Sequence, residues 1–351
     1  MTARALITGV VGQDGSYLAE HLLSKGYIVR GITRRASYPH TQRIDHLFAK
    51  YDDRDPDCPF RVTYADLTDS SSLQNVLLDF QPTEVYNLAA QSHVGISFDT
   101  GESTLDINAI GPFRLLDSIR RVCGPDVRFY QASSSEMFGA SPPPQSELTP
   151  FLPQSPYGAA KATAYYLTRM HRVAYGMFAA NGILFNHESP RRGLNFVTRK
   201  ITYTIARIIA GDVDRIELGN LDAKRDWGFS GDYVDAIWRI MQHAEADDFV
   251  IATGETHTVR EFVAHAFSIL GLDWEDFVSV TDRFKRPAEV PALLGDASKA
   301  RRLLGWQPKV GFAELCQMML ESDLAARGHT LDEARVRAKS LRPSVPRVRR
   351  K

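Results

Sequence analysis

Short apolar runs and segments of helical period alternate along the first half of the chain. Ala5–Thr8, Ile28–Thr33, Arg61–Ala65, Glu84–Ala90 and Val127–Ala132 have the length and composition of strands. Between the first two, Leu18 and Leu22 share one helical face, and Gly26 closes the segment. Such alternation builds a doubly wound parallel sheet with crossover helices. Ser37–Pro59 is polar and charged, so it reads as a long surface excursion. Beyond Ala140 a proline-rich stretch breaks regular structure; a helix is predicted over Tyr157–Tyr175 and a strand over Gly182–Asn186. From about residue 190 short strands and helices follow in no simple order, which predicts a smaller α/β lobe. The expected division is 1–190, 191–325 with some chain returning to the first unit, and a basic, solvated tail at 326–351.

The glycines of Gly9-x-x-Gly12-x-x-Gly15 fall between the first strand and the first helix. Glycine permits a tight turn there and lets backbone N–H groups at a helix N-terminus approach a pyrophosphate. The predicted fold is therefore a Rossmann-like α/β sheet, with Gly9, Gly12, Gln13, Asp14 and Gly15 as the dinucleotide loop. An acidic residue at the end of the second strand would suit NAD. This chain has Arg34 and Arg35 there, two cations suited to a 2′-phosphate, so the expected cofactor is NADP. Asp66 and Leu67, past the third strand, are candidates to meet the adenine.

Tyr157 and Lys161 stand one helical turn apart, on one face. Bringing a phenol from its ordinary pKa near 10 to about 7 takes about 4 kcal/mol of differential stabilisation. A neighbouring ammonium and an oxidised nicotinamide would both favour the phenolate.

Composition narrows the class without naming it. Lys plus Arg and Asp plus Glu both total 42 in 351 residues, so net charge is zero and a nucleic-acid footprint is not expected. The three cysteines, Cys58, Cys123 and Cys316, are too scattered for a disulfide framework or a metal knuckle. No leader segment or membrane-length apolar run is read, so a cytoplasmic protein without a metal is expected.

The stretches GVVGQDGSYLAEHLL, YNLAAQSHV, QASSSEMFG, SPYGAAK, NGILFNHESPRRG, NFVTRKI, LGNLDAKRDWG, FVIATGE and RPAEV, spread over residues 1–325, carry a specific likeness. On them the chain resembles the extended short-chain dehydrogenase/reductase family, and within it the GDP-mannose 4,6-dehydratases. The resemblance implies a lyase with tightly held NADP, acting on GDP-mannose as a homodimer or homotetramer. It implies Ser134, Glu136, Tyr157 and Lys161 as the catalytic set, with Tyr157 the base at the sugar 4-OH and Glu136 the base at C5. It further implies that Leu88, Ala89, Ala90, Gln91, Ser92, His187 and Arg192 contact the cofactor. Asn186, Val197, Lys200, Arg225, Arg286 and Glu289 match nucleotide contacts; the three cations suit a diphosphate. The chain departs from the family pattern at Val11, around Ser103, at Ser134 and at Phe138, none of which removes a proposed proton-transfer group.

Three other readings stay open on residues alone. A nucleotide-sugar 4-epimerase would use Ser134, Tyr157 and Lys161 without needing Glu136. A ketoreductase would release its cofactor each turn, and a cofactor-binding regulator would need no intact catalytic set. A zinc protease is excluded, because His187-Glu188 lacks the second histidine of H-E-x-x-H, and no G-x-S-x-G elbow surrounds the serines.

Overall fold

Six parallel strands form where the apolar runs predict them, and a seventh joins from the second half of the chain. The computed structural model describes residues 2–38, 40–284, 288, 290 and 292–341. In chain order the strands are β1 (Arg4–Thr8), β2 (Ile28–Thr33), β3 (Phe60–Tyr64), β4 (Glu84–Asn87), β5 (Arg128–Ser134) and β6 (Ala179–Leu184). Short strands follow: β7 (Asn186–Glu188), β8 (Ile216–Leu218), β9 (Lys224–Arg225), β10 (Trp227–Phe229) and β11 (Asp248–Ile251). The helices are α1 (Gln13–Ser24), α2 (Asp45–Lys50), α3 (Ser70–Phe80), α4 (Gly101–Leu105), α5 (Gly111–Val122) and α6 (Pro156–Tyr175). They continue as α7 (Val197–Ala210), α8 (Ser230–Gln242), α9 (Val259–Ser268), α10 (Ser298–Leu304), α11 (Phe312–Ala325) and α12 (Leu331–Ala338).

The main sheet runs β11-β6-β5-β4-β1-β2-β3. Strand order reverses between β1 and β4, so the carboxyl ends of those two strands open a crevice at the switch point. Every residue of β4 and β6 is buried, as a sheet covered on both faces demands. Leu18 and Leu22 of α1 pack on one face, and Leu73, Leu77, Leu115 and Leu116 of α3 and α5 on the other. A separate apolar cluster lies beyond residue 200, where Ile201, Ile205, Phe262, Phe267, Leu315 and Met319 meet.

Three sequence expectations shift. Strand β4 stops at Asn87 rather than Ala90, because the Thr8 hydroxyl takes the N–H groups of Leu88 and Ala89 and pulls the chain off the ladder. The Ser37–Pro59 excursion holds α2, whose Leu47 is buried with Ile44 against the main core. Residues 326–341 are not a solvated tail. Thr330 and Glu333 form a capping box that starts α12, and Ala334 and Ala338 are buried in the second apolar cluster. Residues 342–351 lie outside the described residues.

Candidate active site

The phosphate loop is shaped by contacts that side chains would block. Gly9 has φ +73°, and a Cβ there would meet the Ala89 nitrogen at 2.9 Å. A Cβ on Gly15 would run into the Gly9 carbonyl. Helix α1 begins at Gln13 with Gly12 as N-cap and no side-chain cap, so its first-turn N–H groups are left to an anion. The loop fits a dinucleotide pyrophosphate.

Gln13 and Asp14 are tied across the cleft. Gln13 donates to the His187 carbonyl at 3.1 Å and accepts from Ser189 at 2.8 Å. Asp14 accepts from Ser230 at 2.8 Å and lies 2.7 Å from Nε2 of His187. Burial alone would raise the Asp14 carboxyl, but the His187 ring overrides it and holds the group far below the usual carboxylate range. Burial likewise opposes charge on His187, and Asp14 overcomes it, so the imidazole pKa is raised. Both side chains reached from sequence as cofactor contacts thus also link α1 to β7.

The four side chains expected to carry the chemistry line one cavity at the carboxyl end of β5. Ser134 caps the turn that follows, accepting from the Glu136 N–H at 3.3 Å, and this turn brings the Glu136 side chain to the same cavity. Ser155 caps α6, and the Tyr157 N–H donates to Ser97 at 3.3 Å, which fixes the first turn carrying the phenol. Burial pushes the Tyr157 phenol up to about 12, a hydrogen bond from Ser134 opposing and the Glu136 charge reinforcing it. The expected lowering toward neutrality is not supplied by the chain alone. Burial lowers Lys161 to about 8, and its Nζ donates to the Ala132 carbonyl at 2.8 Å rather than to the phenol.

One cavity of about 960 Å³ joins these groups to Asp14, Leu88, Ala90, Ser92, Asn186, His187, Arg192, Val197, Lys200 and Arg225. Asn186 has a buried Oδ1 with no hydrogen-bond partner among the described residues, an acceptor facing a site rather than a core. Arg192 stacks 3.6 Å above the Phe196 ring and pairs with Glu188 at 3.1 Å. Burial lowers the Lys200 ammonium's pKa, against the pull of Glu217. The guanidinium of Arg225 donates to the carbonyls of Lys224 and Val290 at 2.8 and 2.9 Å.

Other expected contacts stand outside the cavity wall. Arg34 and Arg35 are exposed past β2, with Arg35 over the Tyr64 ring at 5.6 Å. Asp66 folds back on Thr68 at 2.9 Å, and Leu67 is a core side chain, 5% exposed, so only its main chain is available. Ala89 packs against the core, while the Gln91 side chain is spent on the His93 backbone. Arg286 and Glu289 lie outside the described residues. Phe138 is buried against Phe151 and Phe185, a setting where a phenol oxygen is not required.

Sequence reasoning missed Tyr203 and Arg207, which line the same end of the cavity as Lys200. Their spacing along α7 was the available signal, since positions three and seven beyond Lys200 share its face. It also missed Asn220, from a loop, and Arg283, from a single 3-10 turn at Asp282–Phe284, neither of which carries a periodic pattern.

Comparison with known proteins accords with this geometry. Residues 6–319 match the family model described as GDP-mannose 4,6 dehydratase. A relative from Arabidopsis thaliana, GDP-mannose 4,6 dehydratase 2, is 55% identical over 91% of this chain and 86% of its own. The Homo sapiens GDP-mannose 4,6 dehydratase is 51% identical over 91% of each chain. Among solved structures, a dTDP-glucose 4,6-dehydratase from Streptomyces venezuelae with NAD bound superposes with a TM-score of 0.81 at 24% identity, over 93% of this chain and 98% of that one. With a family model matched over most of its length and relatives above half identity, the chain belongs to the GDP-mannose 4,6-dehydratase family.

Proposed function

We propose that this chain is a hydro-lyase converting GDP-D-mannose to GDP-4-dehydro-6-deoxy-D-mannose and water, with NADP as its resident cofactor. The observation that carries the reading is the meeting of Glu136, Ser134 and Tyr157 in one cavity with the phosphate loop at its side. When bound, the nicotinamide supplies a hydride acceptor and, later, a hydride donor. Tyr157 as phenolate would take the 4-OH proton while Ser134 holds the 4-oxygen and the hydrogen on C4 leaves as hydride, giving the 4-ketone. The 4-ketone acidifies C5, and Glu136 removes that proton. The C6–O bond breaks, and Glu136 returns the proton to the leaving hydroxide, releasing water. Hydride is delivered to C6, and the proton on Tyr157 passes to C5. Lys161 stays an ammonium at neutral pH, and its charge favours the phenolate.

The remaining assignments follow the same logic. Arg34 and Arg35 bind the 2′-phosphate from the rim of the cleft, and the main chain past β4 carries the nicotinamide contacts. Lys200 and Arg225 face the diphosphate, with Arg286 and Glu289 completing the nucleotide end. Residues 1–190 form the cofactor unit and most of 191–325 the substrate lobe. The enzyme acts in the cytoplasm as a homo-oligomer, since Leu105, Phe113, Tyr166 and Val173 are exposed on α4, α5 and α6 and are large enough apolar groups to be covered by a second copy. No helix among the described residues is long and apolar enough to cross a membrane.

The test is incubation with GDP-mannose and catalytic NADP, followed by mass spectrometry. A product lighter by one water is expected. A product of unchanged mass would mean epimerisation, and a requirement for stoichiometric reductant would mean a ketoreductase.

A further inference from the structure

The backbone carbonyl that holds Lys161 is also the end of a chain of buried side chains that none of the proposed chemistry uses. The Ala132 carbonyl that accepts its Nζ at 2.8 Å also accepts Nε2 of Gln131 at 3.0 Å. Oε1 of Gln131 accepts from Nδ2 of Asn87 at 2.8 Å, and Oδ1 of Asn87 accepts from the Thr8 hydroxyl at 2.6 Å. Thr8 in turn accepts the N–H groups of Leu88 and Ala89, both at 3.1 Å. Thr8 is 0% exposed, Asn87 and Gln131 1%, and none of the three lines the cavity.

The direction of this chain is forced. Two backbone donors fill the lone pairs of Thr8, so its proton goes to Asn87. That orients the Asn87 amide, which orients the Gln131 amide, which makes Gln131 a donor at Ala132. A carbonyl shared by two donors holds each less firmly than it would hold one.

We infer that Gln131, oriented by Asn87 and Thr8, is a positioning residue for the catalytic lysine. By occupying part of the Ala132 carbonyl it loosens that carbonyl's grip on the ammonium and leaves the charge disposed toward the Tyr157 phenol. The same links join the lysine to Leu88 and Ala89, so the loop past β4 and the catalytic strand are set as one unit. This inference rests on Tyr157 acting as the base.

The experiment is the pH profile of kcat for Gln131→Met in the full chain, beside wild type and Tyr157→Phe. The acid limb should move about one pH unit upward, which is about a tenfold lower kcat below the limb, with KM for GDP-mannose within about twofold. If Gln131→Met does not fold, the profile is read on Asn87→Leu/Gln131→Met, where both amides are gone and no buried amide is left unpaired between them. A folded variant of either kind with the wild-type acid limb overturns the inference, and so does a double variant whose limb returns to the wild-type position. Full activity in Tyr157→Phe instead overturns the underlying reading of the base, independently of Gln131.

Discussion

Nε2 of His187 lies 2.7 Å from Oδ2 of Asp14, while Nδ1 of the same ring lies 2.7 Å from the Phe185 carbonyl. Both ring nitrogens therefore face acceptors, which only the doubly protonated imidazolium satisfies. The ring also stacks on Tyr233 at 4.8 Å. A partly buried ion pair thus joins α1, directly behind the phosphate loop, to β7 in the wall of the cavity.

This pair predicts a pH dependence of stability with a definite sign. The folded pKa of His187 is raised above its ordinary value of 6.5, so its contribution is full below that value and is lost as pH rises through the higher folded one. The folded pKa of Asp14 is depressed, so its contribution is present above the unfolded value near 3.9 and lost as pH falls through the lower folded one. Removing one partner of a fully buried pair costs about 3–5 kcal/mol, and less where, as here, both side chains keep some contact with solvent. Melting curves of His187→Gln from about pH 5 to 9 should lie below wild type, with the gap full at about pH 5–6 and narrowing toward pH 9. A gap independent of pH would mean that His187 is not charged.

Cofactor choice is tested at the rim. Each charge-assisted hydrogen bond to a phosphate is worth about 1.5–3 kcal/mol, or about ten- to a hundredfold in affinity. Arg34→Ala/Arg35→Ala should lose at least that much affinity for NADP while changing NAD affinity little. Titration of both cofactors against the variant measures it, and equal losses would move the 2′-phosphate elsewhere.

How much of this site can be read from sequence depends on how local its determinants are. The glycine loop and the Tyr157–Lys161 pair are set by spacing within one element, and they were legible; the 3-10 turn at Ser135–Met137 that carries Glu136 was not, since three residues after a strand show no period. The Asp14–His187 pair joins positions far apart in sequence, so the motif named both residues without showing that they meet. The helix at Leu331–Ala338 was hidden because its buried residues are only Ala334 and Ala338, although Thr330 and Glu333 spelled a capping box. The lining residues Asn220 and Arg283 come from a loop and a single 3-10 turn, where no period marks the inward side chain.

The nucleotide end separates binding from chemistry. Lys200 is half-buried beside Tyr203 and Arg207 on one face of α7, remote in sequence from the turn that carries Glu136. Lys200→Met keeps the stem and removes the charge. The variant should raise KM for GDP-mannose about tenfold, as expected for one charged contact, with kcat nearly unchanged. An unchanged KM with a lower kcat would place Lys200 in the chemistry instead.

Glu136 decides between dehydration and epimerisation, because only the former needs a base at C5. Glu136 is 8% exposed and sits in the cavity with the Tyr157 phenol, whose deprotonation its charge opposes, so removing that charge should not hinder C4 oxidation. Glu136→Gln keeps the shape and removes the base. Loss of general base catalysis typically costs 10²–10⁴ in rate, about 2.7–5.5 kcal/mol. The variant should therefore still reduce bound cofactor on mixing with GDP-mannose, seen as nicotinamide absorbance, because Tyr157 and Lys161 are intact. The 4-keto-6-deoxy product should then form at least about a hundredfold more slowly. In D₂O the wild-type product should carry deuterium at C5, since the proton delivered there exchanges with solvent on the enzyme. Wild-type turnover by Glu136→Gln, with the same deuterium uptake, would remove this carboxylate from the mechanism and assign the C5 proton to another group of the cavity wall, such as His93, Asp99 or Tyr157.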